Sequence, residues 1–285
     1  MLSLSLALLA ILLLFGCGAP QAGAPPDVEW SCRYNGTTIG TGEYDGDALS
    51  EPPNLYIDGP IRYGLIEECS DELSKPFNTL YIKSGGGQTE TSIQVAAIIR
   101  DREADVVVVD SCWSACAMIV LAAGKRVFVD KRDVLQLHHS AKALSRAAEG
   151  YEASWTEWIA RQAHSVGEFL DEHDISPDVT TRPFDAMIPE CIGSEIINSG
   201  SEAFESLGYR SQFAGTVLSA SQMREWGYPL VGETARSLGE LTEVRAGDVT
   251  PDERAQLQKA RWLKTFEGIP QAPSPLPVCP PPHGL

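Results

Sequence analysis

Residues 79–100 read TLYIKSGGGQTETSIQVAAIIR, and residues 106–129 read VVVVDSCWSACAMIVLAAGKRVFV. Each stretch opens on an apolar run, passes through small residues and enters a second apolar run. The first predicts a strand at 79–83 and a helix at 91–100, with Ile93, Ala96, Ala97 and Ile98 toward the core. Four successive valines at 106–109 have the pattern of a strand buried on both faces of a parallel sheet. Residues 115–123 are apolar throughout and predict a buried helix. Working outward, 54–57, 126–129 and 134–137 predict further strands. A weaker helical pattern runs over 63–73 through Leu65, Ile66 and Leu73. One or two helices are predicted over 143–172, with Trp155, Trp158 and Ile159 on an apolar face. A last amphipathic helix at 250–266 opens on Thr250-Pro251-Asp252-Glu253, residues suited to a helix N-terminus. Strands alternating with helices of about ten residues predict an α/β fold with a largely parallel sheet.

Three junctions carry candidate chemistry, each at a predicted strand end, where open α/β sheets place their sites. Ser84-Gly85-Gly86-Gly87 follows the strand at 79–83. Glycines there permit positive φ and expose amides, as a backbone oxyanion hole requires; a tight turn without chemistry uses the same residues. Ser114 lies between the valine strand and the apolar helix, with the small Ala115 after it. It is placed as a nucleophile or as a helix N-cap. His138 and His139 end the strand at 134–137, and a histidine beside a serine accepts its proton at neutral pH.

Taken together, TLYIKSGGGQTETSIQVAAII, VVVVDSCWSACAMIVLAAGKRVFV and VLQLHHS resemble the catalytic core of the Clp protease proteolytic subunit, within the crotonase superfamily. They are also similar to the signal-peptide peptidases of that superfamily, and the Cys-x-Ser-Ala-Cys form resembles an exported, Clp-like bacterial branch. LYIDGPI (55–61) and LSASQMREWGYPLV (218–231) extend the resemblance. It implies a ββα superhelix, here with an added C-terminal helix. It also implies Ser114 as nucleophile and His138, 24 residues later, as base. Gly86, Gly87 and Ala115 would bind the oxyanion or substrate, and His139 would be a substrate-side polar residue. The family's orienting acid falls near Gly215, which cannot serve. Asp185 is the nearest substitute, with Glu190 behind it; a Ser-His dyad is the alternative. Superfamily members usually assemble, so a homo-oligomer is implied.

The 285 residues carry a formal net charge of −17, which disfavours nucleic acid as a partner. The apolar run at 1–16 is shorter than a membrane-crossing helix needs and reads as a secretory signal. Leu14-Phe15-Gly16-Cys17 resembles a bacterial lipobox, implying a lipidated Cys17 and membrane attachment in the cell envelope; a cleaved, soluble periplasmic protein is the alternative. The expected organisation is a signal at 1–16, a Pro-rich tether at 17–28, a Clp/crotonase-like domain at 29–245, a helix at 246–268 and an irregular Pro-rich tail at 269–285. Asn35-Gly36-Thr37 matches a glycosylation acceptor, read here as a chance match. Six further cysteines (32, 69, 112, 116, 191 and 279) suggest disulfides, and six allow fifteen pairings. A 112–116 bridge would stiffen the serine turn, and Cys279 would pin the tail.

The expected activity is therefore an exported, ATP-independent serine hydrolase acting on a peptide or other acyl substrate, with no cofactor and no metal. An envelope binding or assembly module on the same fold is the rival. A crotonase-type acyl-thioester enzyme is disfavoured by export, and a redox role for Cys112 and Cys116 by their spacing.

Overall fold

Asn35 and Gly36 have φ of 45° and 84°, the pair of positive values that a two-residue hairpin turn demands and that Asn-Gly supplies. They join β1 (Asp27–Tyr34) to β2 (Thr37–Glu43). The computed structural model describes residues 27–43, 53–129, 133–151, 153–199, 202–212, 215–231 and 269–280. The expected signal, Cys17, most of the tether and the helix at 250–266 lie outside the described residues. The tether expected to reach residue 28 stops short of Asp27, where β1 begins.

The chain continues through β3 (Asn54–Asp58), α1 (Leu65–Glu68), α2 (Ser70–Ser74), β4 (Thr79–Ser84), α3 (Thr89–Asp101) and β5 (Asp105–Trp113). A π-helical turn, Cys116–Val120, and a 3-10 turn, Leu121–Ala123, follow. Then come β6 (Val127–Phe128), β7 (Val134–Leu137), α4 (Ala141–Ala147) and α5 (Ala153–Glu172). A 3-10 turn (Pro177–Thr180), α6 (Arg182–Ala186), β8 (Pro189–Ser199), β9 (Glu202–Ser211), β10 (Thr216–Val217), α7 (Ala220–Glu225) and β11 (Leu230–Val231) complete it.

The result is a mixed α/β sheet. Strands β3, β4, β5 and β6 run parallel in that order, with β11 parallel to β6 and the β1–β2 hairpin added antiparallel to β3. The interior of the parallel part is aliphatic: Leu55, Ile57, Leu80, Ile82, Val106 and Val108 are all buried. Each fully buried aliphatic side chain contributes roughly 1.5–3 kcal/mol. Helix α3 faces this core with Ser92, Val95, Ala96 and Ile99, a stripe at i, i+3, i+4 and i+7. The stripe is rotated from the predicted one: Ile93, Ala97 and Ile98 sit at its margin, half-buried. On α5, Ile159 is buried but Trp158 is 43% exposed, so Trp158 is not on the core face; the Trp155 side chain lies outside the described residues.

Strand β5 changes neighbours along its length. Its first half pairs with β6 (Val106↔Val127) and its last three residues with β7 (Ser111↔Val134 to Trp113↔Gln136). Against β4 the register jumps from Ile82↔Val108 to Ser84↔Cys112, so one residue of β4 faces three of β5. Such a bulge bends a strand. Asp110 lies within it at φ 72°, its N–H donated to Asp133 Oδ1 at 2.7 Å. The bend turns Cys112-Trp113-Ser114 toward β7, and on this the candidate site depends.

A second apolar cluster lies under α4 and α5, where Leu144, Ile159, Phe184 and Ile192 meet Ala272 and Leu276 of the C-terminal segment. The β8–β9 hairpin forms its own two-stranded sheet; it occupies the span that matched the family pattern least. Three disulfides link Cys32–Cys69, Cys112–Cys116 and Cys191–Cys279. The last ties β8 to the tail, whose described residues are irregular as expected.

Candidate active site

Ser114 has φ 53°, a left-handed conformation uncommon outside glycine, which marks a turn held by its surroundings. What holds it is on both sides. Its N–H donates to Gln136 O on β7 (2.8 Å), and its carbonyl accepts from Met118 N (2.9 Å). The Cys112–Cys116 disulfide spans it, with both cysteines fully buried. The predicted helix at 115–123 is a π turn followed by a 3-10 turn, irregular helix of a kind often found at functional sites. Ser114 is therefore the crest of a strained strand-to-helix turn, and among the described residues its hydroxyl caps no helical amide.

The glycine turn packs directly on this crest. A Cβ placed on Gly86 would stand 2.5 Å from Trp113 O and 2.8 Å from both Ala115 N and Ser114 Cβ. Gly86 (φ 83°) and Gly87 (φ 150°) both need glycine's freedom. Ile61 fixes the turn from the other side, its N–H on Gly86 O and its carbonyl on Gln88 N, both at 2.8 Å. The Gly86 N–H, expected to face an oxyanion, donates instead to the buried Ser84 Oγ at 3.0 Å. In this arrangement Gly86 shapes the turn. Because Gly86 O points at Ile61, the planar trans peptide aims the Gly87 N–H away from β3. The Ala115 N–H belongs to the first helical turn, where amides have no intrahelical partner. Gly87 and Ala115 are the two candidate oxyanion donors.

His138 follows β7 directly. Since Trp113 pairs with Gln136 and the Ser114 N–H donates to Gln136 O, Ser114 and His138 leave adjacent strand ends. Among the described residues neither Ser114 Oγ nor His138 Nε2 has a hydrogen-bond partner; in unliganded sites such bonds are often made only with substrate. The His138 Nδ1 faces His139 Nδ1 at 2.6 Å, and His139 Nδ1 lies 3.0 Å from the Tyr209 hydroxyl. No sequence signal points to Tyr209, 70 residues away on β9.

Asp185, the expected orienting acid, is engaged elsewhere. Its buried carboxylate is bonded to Arg146 and to the Ala272 N–H (2.9 Å), with Arg182 Nη1 at 4.0 Å. Glu190 pairs with Arg210 at 3.2 Å. At residue 215 the space a side chain would need is filled by the Gln136 amide, 2.0 Å from a Cβ built there. Among the described residues no three His, Cys, Asp or Glu side chains gather to share a metal ion.

Burial pushes the His138 imidazole down to about 4. His139 lies well below the usual imidazole range, through burial first and the adjacent His138 second. Each ring keeps some exposed area, but the packing around it disfavours a charge. Histidine ordinarily titrates near 6.5, so between about 6.5 and 4 the unfolded chain binds more protons than the folded one. Stability is then full above that window and falls as pH drops through it. The urea midpoint should be lower at about pH 4.5 than at about pH 7.5, with a flatter dependence in His138→Ala. Identical dependence in both proteins would show that His138 is not held neutral by the fold. The same shift keeps the His138 imidazole neutral to near pH 4.

No protein-family model matches the chain, and neither does any curated protein sequence. Some solved structures do match. ClpP1 from Listeria monocytogenes aligns at 20% identity over 42% of this chain and 71% of its own, with a TM-score of 0.31. A peptidase from Plasmodium falciparum aligns at 15% identity over 42% of this chain and 77% of its own, with a TM-score of 0.30.

Proposed function

We propose that this chain is an exported, ATP-independent serine hydrolase, a peptidase or acyl esterase built on a Clp/crotonase-like ββα superhelix. The observation that carries the reading is the convergence of three strand ends. The β4 glycine turn abuts the strained Ser114 crest of β5, and β7, which pairs with the end of β5, runs into His138. The split pairing of β5 between β6 and β7 supports the superhelical path. In this reading Ser114 Oγ attacks an acyl carbonyl, and its proton moves to His138 Nε2. Electrons of the carbonyl π bond move onto oxygen, where the Gly87 and Ala115 amides receive the charge. Collapse expels the leaving group with the His138 proton, and water repeats the sequence to free the acid. Losing one oxyanion donor costs roughly 100- to 1,000-fold in rate. Lipidation at Cys17 and self-assembly are further parts of the proposal.

The test is labelling of the oxidised protein with a fluorophosphonate probe. Wild type should label, while Ser114→Ala and His138→Ala should not. A folded wild type that stays unlabelled would sink the hydrolase reading. It would favour an envelope binding or assembly module, for which the commitment of Asp185 to Arg146 is the supporting observation.

A further inference from the structure

Among the described residues no carboxylate bonds to His138, and the atom facing its Nδ1 belongs to a second histidine. We propose that His139, backed by Tyr209, is the positioning residue that does an orienting acid's work. It would hold His138 with Nδ1 protonated and Nε2 free toward Ser114. This rests on the hydrolase reading above.

Geometry limits the alternatives. Two ring nitrogens at 2.6 Å hold one hydrogen between them. Either His138 Nδ1–H donates to His139 Nδ1, or the reverse. When His138 takes the Ser114 proton it carries hydrogen on both nitrogens. Its Nδ1–H then needs a lone pair opposite, so His139 must be the acceptor at that step. Accepting requires His139 to stay neutral with its proton on Nε2, and its depressed affinity for a second proton fits this.

The rings are also fixed in orientation. His138 meets His139 edge-to-face at 4.1 Å between centroids, His139 meets Tyr209 at 5.0 Å, and Tyr209 meets the buried Phe184 at 5.1 Å. Tyr209 places its hydroxyl 3.0 Å from His139 Nδ1 and donates its hydrogen to Met187 Sδ at 3.9 Å, which leaves the one lone pair of His139 Nδ1 for the His138 Nδ1–H. The ladder anchors the pair to β9 and α6, a support a solvent-facing histidine would lack. A neutral acceptor stabilises an imidazolium less than a carboxylate does, so the site should be slower than a carboxylate triad.

Two measurements on the full, oxidised chain test this. Fluorophosphonate labelling rates would be compared for wild type, His139→Ala, His139→Asn and Tyr209→Phe. His139→Ala should label roughly 100-fold more slowly. His139→Asn, whose Oδ1 occupies the place of Nδ1, should recover most of that loss, which a purely structural role would not allow. Tyr209→Phe should lose a smaller factor, about tenfold. Histidine ¹⁵N NMR at neutral pH should show His138 protonated on Nδ1 in wild type. Wild-type labelling rates in both His139 variants, or a His138 proton found on Nε2, overturn the proposal and leave the Ser114/His138 reading standing. If wild type does not label but His138 Nδ1 is protonated, the pairing stands and the hydrolase reading falls. Should His139→Ala fail to fold, His139→Asn and the wild-type spectrum decide.

Discussion

Gly86→Ala should slow acylation of Ser114 by roughly 100-fold or more, because a misplacement of about 1 Å at a reacting centre costs that much. The methyl group would sit 2.5 Å from one backbone atom and 2.8 Å from another on the serine crest, and 2.8 Å from Ser114 Cβ. None of these can swing aside like the end of a long side chain. Residue 86 also sits at φ 83°, a strain of about 1–3 kcal/mol for alanine. Either the glycine turn or the crest must move, and both belong to the site. Gly85→Ala is the matched control: nothing lies within 4 Å of a Cβ there, so it should label at the wild-type rate. Probe kinetics beside a thermal melt separate lost reactivity from lost fold. Equal rates in the two variants would mean that contact between turn and crest does not set the nucleophile.

The largest effect on stability should come from the Cys191–Cys279 bridge. Its cysteines are 88 residues apart, against 37 for Cys32–Cys69 and 4 for Cys112–Cys116. Loop-closure entropy then ranks them at about 4.6, 3.9 and 2 kcal/mol. The bridge also holds the C-terminal segment in place. Leu276 N donates to Ala147 O (2.9 Å), Ile192 N to Pro277 O (2.9 Å) and Cys279 N to Ile192 O (2.7 Å). Without the tether, Ala272 and Leu276 would leave the cluster around Phe184 and Ile159. Replacing both cysteines with alanine should lower the urea midpoint more than either other paired replacement. A smaller loss than for Cys112/Cys116 would refute the ranking.

The parallel core was legible because its strands are short, mostly apolar runs followed by small or polar residues. Residues 134–137 match β7, and 79–83 falls one residue short of β4. Less legible was what bends those strands. The valines at 106–109 mark the start of β5, but the bulge at Asp110 depends on pairing with two neighbours at once, which no local pattern encodes. The β1–β2 hairpin carries its own signal, the Asn35-Gly36 dipeptide between strand-like runs, and the same dipeptide opens the glycosylation triplet. The β8–β9 hairpin lay where the family pattern ran out. Ser114, His138 and the glycine turn do follow the ends of β5, β7 and β4, as their flanking apolar runs predict. The third group has no such local signal: Asp185 is plausible by separation alone, and only folding brings Arg146 to it and Tyr209 to His139.

The bridge across the serine crest bears on how the protein is made. Cys112 and Cys116 close over Ser114 only as a disulfide, and a reducing cytoplasm keeps thiols apart. Chain purified from such a compartment would carry an unclasped crest, and its inertness would record the redox history of the preparation. Material oxidised before assay is the form in which the reactivity of Ser114 has to be judged.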